Sequence, residues 1–201
     1  DEASTLGLRV GEHGDLTARF ERLLAQFSPN EVVVAGDFLH SFSTLPRGVL
    51  ETVRELKAAC RQTGARLVVT PGNHDAMLGE VWDGPTESEH WVGDWVVCHG
   101  HEEPTADADG YIVGHDHPAI DIEGQRRPCY LTGDGVYGDS DLLMLPAFTR
   151  LAGGVEVNAM YARHFDSPLV ETTAPLQPVV RDPDADETLT FPPLDEFRRL
   201  L

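Results

Sequence analysis

Val32-Val33-Val34-Ala35-Gly36-Asp37-Phe38-Leu39-His40 decides the fold. A continuous apolar run of this length, with no alternation of polar residues, fits a strand covered on both faces, as parallel sheets require. Gly36 then ends the run and hands the chain to an acidic residue. On the N-terminal side, Leu16, Phe20, Leu23, Leu24 and Phe27 fall at helical spacing, with Asp15 as the expected N-cap and Ser28-Pro29-Asn30 as the break. On the C-terminal side, Val49, Leu50, Val53, Leu56 and Cys60 form a second helical stripe closed by Gly64. Leu67-Val68-Val69 repeats the short buried run and meets Pro71-Gly72. Helix, strand, helix, strand predicts an α/β fold.

Beyond Gly79 the pattern changes to short strand candidates about ten residues apart, for which antiparallel connections are expected. They are Trp91–Cys98, Tyr111–Val113, Ala119–Ile122, Cys129–Thr132, Leu142–Leu145 and Val155–Val157. The stretch from Glu171 to Thr190 is rich in Pro, Asp and Thr and reads as an irregular tail. Leu194, Phe197, Leu200 and Leu201 could close the chain with a short docking helix. The division expected is a body over 1–170 and an acidic tail over 171–201.

The chain has 201 residues, 34 acidic and 15 basic, for a net charge of -19. Lys57 is the one lysine, the other basic residues being arginine. Such a surface repels polyanions at low salt. Lysine depletion with acidic excess resembles proteins of salt-rich cytoplasms, where screening tolerates dense carboxylates. Three cysteines at wide spacing, Cys60, Cys98 and Cys129, exclude a disulfide framework and fit a reducing, cytoplasmic setting. No apolar run reaches the ~18 residues of a membrane helix, and no secretory leader pattern opens the sequence.

Four short patterns follow the expected strands: Gly36-Asp37, Gly72-Asn73-His74-Asp75, His99-Gly100-His101 and Gly114-His115-Asp116-His117. Ligands gather at the carboxyl ends of strands in α/β sheets. A carboxylate can bridge two cations, imidazoles suit Zn, Fe, Mn or Ni, and an Asn amide oxygen adds a neutral hard donor. Two adjacent cations can bind a phosphoryl group and lower the pKa of a water. Singly, each pattern is as well explained by a turn, a helix cap or a surface histidine. Their order at successive strand ends is the stronger signal.

Taken together, Gly-Asp, Gly-Asn-His-Asp, His-Gly and Gly-His-x-His resemble the calcineurin-like metallophosphoesterases over roughly residues 16 to 160. Leu143-Met144-Leu145-Pro146-Ala147-Phe148, with Gly153-Gly154, is most similar to the ligase-associated DNA damage response phosphoesterases and their archaeal relatives. The resemblance implies a four-layer α-β-β-α sandwich of mixed sheets and two divalent metal ions, Mn foremost, with Fe, Zn or Ni as alternatives. It implies that Asp37 bridges the metals, that Asn73, His99 and His115 complete one shell, and that His117 binds the other metal. His74 would then face the substrate as phosphate binder or general acid, Asp75 would orient it, and His40 would take a substrate-side position. His101 is equally well read as exposed.

That family opens on a strand ending in Asp-x-His, and no such motif stands here. Glu12-His13-Gly14-Asp15 has the wrong order and is read as a turn and cap. The expectation is a fold lacking its first strand, through truncation or true degeneration. The activity implied is hydrolysis of a phosphodiester, nucleic acid or nucleotide included. The alternative is a non-catalytic interaction module on the same fold. The oligomeric state is left open, a homodimer included.

Overall fold

The computed structural model describes residues 10–39, 48–183 and 185–199. The chain forms two compact units, residues Asp1–Glu87 with Phe148–Leu151, and Ser88–Ala147 with Ala152–Leu201. Mixed sheets and few helices make it an α/β protein.

In the first unit, helix α1 spans Val10–Phe27 and α2 spans Val49–Thr63. Strands β1, Glu31–Ala35, and β2, Arg66–Thr70, pair in parallel with Val33 opposite Val68. Helix α1 begins five residues ahead of the expected cap. Asp15 therefore lies inside it, within 3.9 Å of Arg19 and 3.4 Å of Arg150. The presumed turn around Gly14 is helical instead. Helix α2 buries Val49, Thr52, Val53, Leu56, Ala59 and Cys60, one stripe of a 3.6-residue period. It ends where Gly64 takes φ 80°. There the Gly64 and Ala65 N–H groups donate to the Arg61 and Cys60 carbonyls, a left-handed cap that glycine adopts without strain. Strand β2 buries Val68 and Val69 fully. Strand β1 is only half-buried along its whole length, against the expectation of two covered faces. Among the described residues its sole strand partner is β2.

The second unit holds a seven-stranded mixed sheet and a three-stranded one. Its strands are β3 (Glu89–Val92), β4 (Trp95–Cys98), β5 (Gly110–Val113), β6 (Pro118–Ile122), β7 (Gln125–Pro128), β8 (Tyr130–Tyr137), β9 (Ser140–Met144), β10 (Val155–Glu156), β11 (Gln177–Asp182) and β12 (Glu187–Thr190). The large sheet runs β12-β11-β8-β9-β5-β4-β3 and the small one β10-β6-β7. The centre of the large sheet is parallel: β4 pairs with β5 and β5 with β9. The antiparallel connections expected are found in β3–β4, β6–β7 and β8–β9, and the parallel centre is the departure from them. Ile120, Leu131, Leu142, Met144, Leu169, Leu176 and Leu194 are fully buried between these elements.

The stretch expected as an irregular tail carries two strands. Strand β11 pairs with β8, and β12 pairs with β11. Valines at 179 and 180 supply the strand-forming residues that the surrounding Pro and Asp obscured. A short helix α3, Leu194–Phe197, follows, with the Leu194 N–H donating to the Leu176 carbonyl at 2.8 Å. Leu200 and Leu201 lie outside the described residues. No helix among the described residues is long and apolar enough to cross a membrane.

Candidate metal centre

All four patterns stand where strands end: Gly36-Asp37 after β1, Gly72–Asp75 after β2, His99 after β4 and Gly114–His117 after β5. The first unit carries the carboxylate and amide half. Asp37 is a non-glycine residue at φ 49°, a left-handed conformation that costs energy and persists only where surroundings enforce it. The enforcement is visible. Asp37 Oδ1 accepts the His74 backbone N–H at 3.0 Å, fastening the two loops together. The Asp75 carboxylate accepts three further backbone N–H groups, from Phe38 (3.1 Å), Leu39 (2.8 Å) and Gly72 (2.9 Å). Asp75 is buried, so these bonds are shielded from water and replace its lost hydration. Gly72 is obligatory, since a Cβ there would lie 2.2 Å from Asp37 Oδ1. Asn73 and His74 thus stand beside Asp37 on one knitted turn. His40 lies outside the described residues.

The second unit carries the imidazole half. The Gly114 N–H donates to the His99 carbonyl at 3.1 Å, so the ends of β4 and β5 stay in register. That places His99 Nε2 3.1 Å from His115 Nδ1. His101 joins them, its ring 5.1 Å from His99 and 6.0 Å from His115. His117 sits at φ 33°, a second non-glycine left-handed residue. Its Nδ1 is buried and has no hydrogen-bond partner among the described residues. The His117 carbonyl accepts the Val155 N–H at 3.2 Å, and a Cβ on Gly154 would come within 2.9 Å of that carbonyl.

Asp116 is the residue that the sequence reading passed over. It is buried between the two histidines and accepts the Asp166 and Ser167 N–H groups at 2.9 and 3.1 Å. Burial pushes its carboxyl above the usual range, while those two N–H groups act in the opposite direction. Asp116 therefore locks the turn that aims His115 and His117. Its partners lie fifty residues on, and no local pattern announces them. Cys98 precedes His99 and is buried. Burial, with the Glu89 charge, pushes its thiol up to about 12.

Divalent cations fit this donor set in one respect and not in another. Two imidazole nitrogens on one cation at ~2.1 Å stand about 3.0–3.4 Å apart for angles of about 90–110°. The His99–His115 separation falls in that range. The buried, unpartnered Nδ1 of His117 could take a cation or a water. Yet among the described residues no group of three or more His, Cys, Asp or Glu forms a complete cage.

A mixed α/β fold with Asp, Asn and His donors past its strand ends defines a class of metal-assisted hydrolases. The family model of the calcineurin-like phosphoesterases matches residues 9–144, and the chain belongs to that family. Its fold is similar to that of the crystal structure of Pseudomonas putida nuclease MPE, with a TM-score of 0.62 and 23% identity. The match covers 91% of this chain and 82% of that one. No curated protein matches the chain.

Proposed function

We propose that the protein is a metal-dependent phosphodiesterase acting on a nucleic-acid or nucleotide diester, with Asp37, Asn73, His99, His115 and His117 as metal ligands. The observation that carries this reading is the pair of left-handed, strand-end residues, Asp37 and His117, the latter with a buried unpartnered nitrogen. The other left-handed non-glycine residues, Ser28, Glu123 and Asp186, lie in connections that carry none of the four motifs, whereas Asp37 and His117 stand past β1 and β5 among the candidate donors. The nuclease of like fold supports a diester substrate.

Two divalent cations, Mn foremost, would supply charge for the phosphoryl oxygens and lower the pKa of the attacking water. The remaining tasks belong to side chains. Asp37 anchors the loop through the His74 N–H, so the His74 imidazole is carried on a backbone fixed relative to that carboxylate. His74 donates a proton to the leaving oxygen as the phosphorus–oxygen bond breaks. Asp75 keeps Gly72 and the residues after Asp37 in place, and by fixing that turn it would orient His74. His40 contacts the substrate.

Hydrolysis of bis(p-nitrophenyl) phosphate with and without Mn(II) tests this reading. Mn-stimulated release of nitrophenol is expected, falling about a hundredfold in His74→Ala and to background in Asp37→Ala. Equal rates in the parent and both variants would contradict it.

A further inference from the structure

We propose that His101 contacts the phosphoryl group of the substrate and that Glu89 positions it. The proposal rests on the phosphodiesterase reading and adds a substrate contact on the imidazole half of the centre. His101 lies in the loop of residues 99–104, which leaves the end of β4. Glu89 holds that loop at both ends. In the β3–β4 ladder it stands opposite Cys98, the residue before His99. Its carboxylate takes the far end. One oxygen accepts the Thr105 N–H at 2.5 Å and the other accepts the Ala106 N–H at 2.9 Å. The Thr105 hydroxyl donates to the same carboxylate at 3.1 Å. The Ala106 carbonyl in turn accepts the Tyr111 hydroxyl at 2.7 Å.

Two residues within the loop remove further freedom. Gly100 takes φ 91°, and a Cβ there would lie 2.7 Å from the Val113 Cβ of β5. Pro104 has a fixed φ directly before the Glu89 clamp. The loop so held carries the His101 ring to 5.1 Å from His99 and 6.0 Å from His115. Among the described residues it completes no metal cage with them. The His101 side chain is 28% exposed, whereas His99 is buried. A ring at that border meets a group arriving from solvent. Imidazole carries an N–H in either charge state, and a phosphoryl oxygen accepts it. Glu102 Oε1 stands 3.8 Å from His101 Nε2, beyond hydrogen-bond reach. A ring already placed by its loop loses less freedom on taking a ligand than a ring on a free one.

Calorimetric titration of the Mn(II)-supplemented protein with inorganic phosphate tests the contact without requiring turnover. His101→Ala is expected to weaken phosphate binding about tenfold and to leave Mn(II) affinity unchanged. Glu89→Ala is expected to weaken it to a similar extent. Glu89→Gln, which keeps one accepting oxygen, is expected to weaken it about threefold, and it decides the matter if Glu89→Ala does not fold. In the His101→Ala background either change at Glu89 is expected to cost nothing further, because both act through one contact. Unchanged phosphate affinity in His101→Ala would overturn the proposal, as would a parallel loss of Mn(II) affinity, which would make the ring a metal ligand. Additive losses in the double variant would overturn the positioning role of Glu89. Phosphate binding that depends on His101, without Mn-dependent diester hydrolysis, would support the contact and refute only the catalytic reading.

Discussion

Gly72 shows how little freedom the turn after β2 has. Its missing side chain lets the backbone pass 2.5 Å, measured from an ideal Cβ, from the Asp37 nitrogen. Gly72→Ala must displace both the Asp37 carboxylate, which the His74 N–H holds in place, and the Asp37 backbone nitrogen. We expect a loss of about 1–3 kcal/mol in thermal unfolding and about a tenfold fall in Mn-dependent diester cleavage. Unchanged stability would mean that the two loops are not knitted as described. At this scale the sequence spoke clearly where ligand types cluster and poorly where a residue acts through distant backbone. The positions of Asp37, Asn73, His99 and His115 past strand ends were legible because each follows a Gly or directly follows a strand. Asp116 was not, because its role depends on residues 166 and 167 reaching it across the fold.

Strand-end placement held at all four motifs, since a short apolar run stopped by glycine is a strong local signal. Pairing direction was legible only in part: β3 with β4, β6 with β7 and β8 with β9 are the antiparallel neighbours expected. Spacings near ten residues suggested hairpins, yet β4, β5 and β9 are parallel neighbours separated by loops and by other strands. Only tertiary burial of Val96, Val113, Leu142 and Met144 selects that arrangement. The acidic C-terminal stretch misled for a related reason: its polar residues flank a strand whose pairing is non-local. Helix α3 is latched by Asp195, which accepts the Thr173 hydroxyl and pairs with Arg198. The Thr173 bond, then Arg198, hold the Asp195 carboxyl below its ordinary value. A lowered folded-state value means the latch is intact above the ordinary carboxylate pKa of about 3.9 and is lost as pH falls through the folded value. Protection factors over residues 190–199, taken relative to the intrinsic exchange rate at each pH, should therefore fall as the pH drops below about 4, in ~0.1 M salt. Asp195→Asn should show fast exchange throughout. Protection factors that stay constant across this range in the parent would remove Asp195 from this role.

Across the whole molecule, the negative surface and the cation-seeking histidines pull toward different partners. A net charge of -19 opposes a polyanionic substrate, while bound divalent cations would offset it locally. The Arg126-Arg127 doublet adds nothing to that offset. Arg126 pairs with Glu156 at 3.0 Å and Arg127 with Asp182 at 3.7 Å, so neither charge is unopposed. Everything about function turns on cations held by residues from strand ends far apart in the sequence. The most direct measurement is the Mn(II) content of the purified protein, taken by calorimetric titration with metal analysis. The account predicts two Mn(II) per chain, and one in His117→Ala. No bound Mn(II), or a parent stoichiometry that His117→Ala leaves untouched, would contradict it.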